Sequence, residues 1–104
     1  MKGDHLGEFE ELVLLAVYGL AGDAYGVPLQ ERLSELLQRT VSIGAVYAAL
    51  DRLERKGHVR SWTGGATSER GGRRKRFFEI TAAGKAALKQ MRRVREKAWR
   101  EIEA

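Results

Sequence analysis

Arg73, Arg74, Lys75 and Arg76 form an unbroken run of four cations, preceded by Arg70 and two glycines and followed by the strand-like FFEIT at 77–81. A cluster of this kind holds anions. A sugar-phosphate backbone imposes no fixed register, so redundant cations on a glycine-hinged tip suit it, and release of condensed counterions drives the association. Taken alone, the same cluster is also what a hairpin uses to protect its edge or to stay soluble. Covalent chemistry has no comparable signal. Ser42, Ser61 and Ser68 have no paired histidine and acid at a recognisable spacing, and Gly64, Gly65, Gly71 and Gly72 punctuate a turn rather than join a strand to a helix. His5 and His58 lack a second ligand at metal spacing, and there is no cysteine. The expectation is a binding protein with no catalytic residues, no metal and no cofactor.

Charge is distributed unevenly along the 104 residues. Residues 1–57 hold 6 basic and 9 acidic side chains, residues 58–81 hold 6 and 2, and residues 82–104 hold 7 and 3. The net +5 therefore arises in the basic run and the C-terminal segment, which favours an anionic partner. Absence of cysteine agrees with a reducing compartment, and the cytoplasm is the expected location. The apolar run at 12–21 is about half as long as a membrane-spanning helix requires, so no membrane association is expected.

These cations need elements to present them. Leu6, Phe9, Leu12, Val13, Ala16, Val17 and Leu20 recur at helical spacing, with Glu8, Glu10 and Glu11 where the N-terminal dipole favours anions. Leu14, Leu15 and Tyr18 fall outside that stripe, as when a helix packs on its own domain and on a partner. A second helix starts near Gly26, because Pro28 is tolerated only in a first turn, and Leu29, Leu33, Leu36 and Leu37 mark its buried side. Ser42 caps a third helix whose apolar side is Ile43, Val46, Leu50 and Leu53, and Gly57 stops it. Residues 58–63 and 75–81 read as the strands of a hairpin, with Val59, Phe78 and Ile80 inward and Trp62 meeting Phe77 outside. Thr81 caps a final helix on which Ala87, Met91, Val94, Ala98 and Ile102 step by three and four, suited to packing on another helix.

Three helices, a basic hairpin and a long helix make a mostly α, α+β chain: a winged helix-turn-helix over residues 1–81 and a dimerisation helix over 82–104. In that arrangement the third helix enters the major groove and the wing lies along the backbone. Opposite its apolar side the third helix carries Gly44, Ala45, Ala48, Arg52 and Arg55, a small and cationic face that allows close approach of its backbone to DNA. Tyr47 sits at the border, equally suited to half-buried packing and to phosphate contact. The surplus apolar surface on the first and last helices points to self-association through Leu6, Phe9, Val13, Leu88, Met91, Val94, Ala98 and Ile102. Trp99, beside this stripe, reads as an interface aromatic before it reads as a ligand-stacking one.

The stretches LGEFEELVLLAV at 6–17, AYGVPLQERL at 24–33, VSIGAVYAALDRLERKGHV at 41–59 and TSERGGRRKRFFEITAAGKAAL at 67–88 resemble the PadR family of bacterial transcriptional regulators. The resemblance spans most of the chain. It implies a homodimer on palindromic operator double-stranded DNA, usually as a repressor, with Ser42, Gly44, Tyr47, Arg73, Arg74 and Lys75 matching DNA contacts by position. Ala48, Arg52 and Arg70 join that set from the face and cluster described above. The single C-terminal helix resembles the short subgroup, some of whose members bind flat aromatic effectors between tryptophans of the last helix, where Trp99 would correspond. A different class, a winged helix that binds an acidic protein and has only general DNA affinity, is compatible with the same charges.

Overall fold

The computed structural model describes residues 6–64 and 74–104. Its elements run α1 (Glu8–Gly19), α2 (Gly26–Leu37), α3 (Ile43–Arg55), β1 (Val59–Gly64), β2 (Lys75–Ile80) and α4 (Ala82–Glu103). The chain is mostly helical, with one antiparallel two-stranded sheet. α1 lies at the centre, packing on α2, α3, β2 and α4.

The apolar periodicity of the helices becomes a core of Val13, Leu14, Val17, Leu29, Leu33, Val46, Leu50 and Leu53, closed from the sheet side by Val59 and Phe78. Leu14, outside the sequence-derived stripe, is fully buried. α1 has neighbours on several sides, as its apolar residues outside the main stripe imply, and for Leu14 the cover comes from its own domain. The opposite correction applies at helix ends: Leu36 and Ile43, expected to be covered, are 44% and 38% exposed. Each occupies a terminal turn, beyond which the packed elements no longer reach.

Short polar links place α3 against α2. Gln38, in the left-handed conformation at φ 55°, ends α2, and the Arg39 amide returns to the Ser34 carbonyl at 3.3 Å. The Ser34 hydroxyl then accepts from the Val41 amide at 3.0 Å, and the Gln30 amide group donates to the Val41 carbonyl at 2.9 Å. Buried Val41 is thus held by backbone as well as by apolar contact, one residue before α3 is capped. Ser42 Oγ accepts from the Ala45 amide at 3.1 Å, as its position predicts.

Gly57, at φ 81°, turns the chain from α3 into β1. The hairpin register pairs Val59 with Ile80, Ser61 with Phe78 and Trp62 with Phe77. Strand alternation then sets Val59, Phe78 and Ile80 on the core side and the Trp62–Phe77 stack, at 5.9 Å between centroids, on the other. The Phe78 amide also donates to the Ala24 carbonyl at 2.9 Å, fastening β2 to the segment before α2. Thr81 joins both ends of the hairpin to α4: its hydroxyl donates to the Gly57 carbonyl at 2.7 Å and accepts from the Gly84 amide at 3.0 Å.

The first two turns of α4 pack on the domain through Gly84, Ala87 and Leu88, whereas every residue from Arg92 onward is exposed. This projection stretches the chain to 59 × 29 × 20 Å and raises its radius of gyration to 15.2 Å. A compact chain of about 100 residues has about 13 Å. Arg95 braces the projecting part against α1, its guanidinium donating to both Glu11 carboxylate oxygens at 2.5–3.2 Å. None of the helices among the described residues is long and apolar enough to cross a membrane.

Candidate nucleic-acid interface

Ser42, Gly44, Ala45, Ala48, Asp51, Arg52 and Arg55 are all exposed on α3, forming the side opposite its buried Val46, Leu50 and Leu53. At Gly44 an added Cβ would meet nothing within 4 Å, so the N-terminal part of this face is open to whatever approaches it. Its first amides point outward at the positive end of the helix dipole, with Ser42 already satisfying that of Ala45. Tyr47 is half-buried and packs on the core, its ring filling the space beside Gly26 so closely that a Cβ there would overlap the phenolic oxygen. Of the two roles left open for Tyr47, packing is the one with contacts in the structure.

Arg52 does not simply extend from the helix into solvent. Its Nε donates to Glu10 Oε2 at 2.7 Å, while Lys56 Nζ donates to Glu10 Oε1 at the same distance, so one α1 carboxylate ties down the C-terminal half of α3. Glu10 is 8% exposed. Burial acts to raise its pKa, but the hydrogen bonds from Lys56 and Arg52 together with their positive charges prevail, and the carboxyl titrates below its ordinary range. The glutamate was visible in the sequence as a dipole partner for its own helix; its bond to Arg52 spans 42 residues and has no local signature.

Within the basic run, Arg70 and Arg73 lie outside the described residues. The remaining three are divided by strand geometry. Arg74 is exposed at the entry to β2. Lys75 turns toward the start of α2, with Nζ 4.5 Å from the centre of the Tyr25 ring and 3.4 Å from its hydroxyl. Arg76 turns the other way, onto α3, where its guanidinium bonds Glu54 and approaches Asp51 Oδ1 at 3.5 Å. Its Nε also donates to Ser61 Oγ at 3.2 Å, and that hydroxyl donates to Glu54 Oε2 at 2.7 Å. Arg74, two residues away along an extended strand, is therefore within about 7 Å of a residue anchored on α3. Asp51, Glu54 and Ser61 did not feature among the sequence-derived site residues, although i,i+3 spacing of two acids on an otherwise cationic helix was the available signal.

The residues assigned to self-association separate into three groups. Leu6, Val13 and Leu88 are 4%, 0% and 8% exposed inside the chain's own core, which corrects their assignment to a contact surface. Phe9 and Met91 are partly buried against that core. Val94, Ala98, Trp99 and Ile102 are exposed on the projecting half of α4, and Leu15 and Tyr18 are exposed on α1.

A winged helix-turn-helix with an open α3 face and a basic wing root is the architecture of a DNA-binding module. The family model "Transcriptional regulator PadR-like family" matches residues 14–90, and the chain belongs to that family. No curated protein matches it in sequence. Among solved structures, a PadR family transcription regulator from Clostridium difficile is 26% identical with a TM-score of 0.66, covering 93% of this chain and 92% of that one. A Streptococcus transcriptional regulator is similar at a TM-score of 0.73 and 20% identity, covering 98% and 91% of the two chains. A PadR-like transcriptional regulator from Bacillus cereus, at 0.72 and 20%, covers 91% and 87%. The likeness at 20% identity establishes the shared fold.

Proposed function

We propose that the chain is a homodimeric repressor that binds an inverted-repeat DNA operator, with α3 in the major groove and the wing on the adjacent backbone. The observation that carries this reading is the pairing of an open, small-residue face on α3 with Arg74 at a wing root anchored to the same helix. Ser42, Gly44 and Ala48 form the close-approach surface, while Arg70, Arg73, Arg74 and Lys75 supply phosphate contacts. Arg52 reaches DNA only if it keeps or exchanges its Glu10 partner. A DNA-bound regulator of this kind works in the cytoplasm.

Residues 1–81 then serve as the DNA-binding part and 82–104 as the dimerisation helix. Val94, Trp99 and Ile102 are 49%, 60% and 76% exposed on a helix that projects from the domain, an arrangement that a second copy would cover. Trp99 on that surface is the residue placed to stack a flat aromatic effector between two copies.

The test is the salt dependence of binding to duplex DNA by the wild type and by Arg73→Ala/Arg74→Ala. Loss of two phosphate contacts from each protomer, four per dimer, lowers the magnitude of the log–log salt slope by about 4 and weakens binding on all sequences alike. Wild-type affinity and slope in the double variant would remove the wing from the interface. Weak, non-saturating binding by the wild type itself would favour the protein-interaction alternative.

A further inference from the structure

Arg76 differs from the other described cations of the basic run in what its guanidinium faces. Each of its three nitrogens has a partner on the hairpin or on α3: Nε with Ser61 Oγ at 3.2 Å, one terminal nitrogen with Glu54, and the other with Asp51 Oδ1 at 3.5 Å. The plane of the group also lies over Phe78, 4.9 Å from the ring centre, so the aromatic that closes the core supports the fork from beneath. Asp51 and Glu54 occupy one side of the last turns of α3, and Ser61 stands on β1 diagonal to Arg76 across the ladder. One side chain thus joins both strands of the wing to α3.

We propose that Arg76 is a positioning residue for DNA binding rather than a phosphate contact: it sets the angle of the wing on α3, so that both reach the duplex in one register. This rests on the DNA-binding reading above. Charge alone does not perform the task, because three acceptors in different directions match a planar fork and not the point charge of a lysine ammonium. Arg76 also offsets the two α3 carboxylates that would otherwise face the phosphates. The described cations Arg74, Lys75 and Arg76 therefore divide into backbone-binding charges and one strut; for Lys75 and Arg76 the division follows from which face of β2 each occupies and which side chains lie opposite.

Arg76→Lys and Glu54→Gln separate the strut from a contact. The first keeps the charge and loses the fork; the second removes one acceptor and leaves the arginine. Affinities are measured for the duplex that the wild-type protein enriches from a random pool and for an unrelated duplex of equal length. The strut predicts that each variant lowers the ratio of selected to unrelated affinity by about tenfold, the worth of one charge-assisted hydrogen bond. The double variant should be little worse than either alone. A direct phosphate contact predicts instead an unchanged ratio, with Glu54→Gln binding both duplexes more tightly, and that result would overturn the proposal. Failure of the wild type to prefer any duplex refutes the DNA-binding reading separately. The strut is then read in the DNA-free protein by amide hydrogen exchange: Arg76→Lys should accelerate exchange in residues 59–64 and 75–80 several-fold while α2 keeps its protection. Wild-type protection throughout the hairpin would overturn it whatever the DNA does.

Discussion

Replacing Glu10 by Gln should cost the fold about 2 kcal/mol at neutral pH, a value that follows from the two bonds its carboxylate accepts. The Lys56 bond, at 2.7 Å between side chains 20% and 10% exposed, is a charge-assisted hydrogen bond in a largely covered site, worth about 1.5 kcal/mol. The Arg52 bond has the same length, but the Arg52 side chain is 44% exposed, and solvent screening reduces its share to about 0.5 kcal/mol. In a domain of this size about 2 kcal/mol lowers the melting temperature by about 10 °C, read by calorimetry at fixed protein concentration. The pH dependence gives a second readout. Because the folded carboxyl titrates below its ordinary value of 4.5, its contribution is fully present above that pH and is lost as pH falls through the lower folded value. The melting difference between wild type and Glu10→Gln should therefore be largest near neutrality and shrink toward zero below pH 4.5. A difference under about 3 °C at pH 7, or one that does not diminish in acid, would refute the view that Glu10 clamps α3 onto α1.

Two glycines should respond to alanine with different signs. At Gly84 a Cβ would overlap the His58 carbonyl oxygen and crowd Ile80 Cγ1 at 2.8 Å; Gly84→Ala should lose about 2 kcal/mol in chemical denaturation despite alanine's better helix propensity. At Gly44 a Cβ meets nothing, so Gly44→Ala should gain up to about 1 kcal/mol in the same assay. Its operator affinity should nevertheless fall in fluorescence anisotropy, because the new methyl stands between α3 and the groove. Val94→Glu/Ile102→Glu, on the exposed half of α4, should leave the melting of a single chain intact while sedimentation drops from dimer to monomer mass. An unchanged mass would place self-association elsewhere.

Where a residue's role depends on its near neighbours in sequence, the role was readable in advance. Ser42 and Thr81 act as caps because each precedes a helix by one residue, and the pairing of Trp62 with Phe77 follows from hairpin alternation once the strands are recognised. The open face of α3 was legible for the same reason, since it is the complement of a 3.6-residue apolar period. What escaped was cover supplied from a distance. Leu14 is buried and Leu36 exposed because of which elements reach them, and Arg52 is held by a glutamate on another helix. The basic run was legible as charge but not as a division of labour. That Lys75 faces Tyr25 while Arg76 faces Glu54 depends on where α2 and α3 lie relative to β2. Leu6, Val13 and Leu88 went to the wrong surface because apolar periodicity does not distinguish a chain's own core from a partner's.

The most direct test of the central claim is selection of bound fragments by the purified full chain from random or genomic duplex DNA near physiological salt, where purely electrostatic binding is weak. A homodimer presenting two α3 helices predicts enrichment of an inverted repeat whose half-sites are about one helical turn apart. A folded, dimeric protein that enriches no sequence would contradict a specific operator-binding regulator and leave only general affinity for the phosphate backbone.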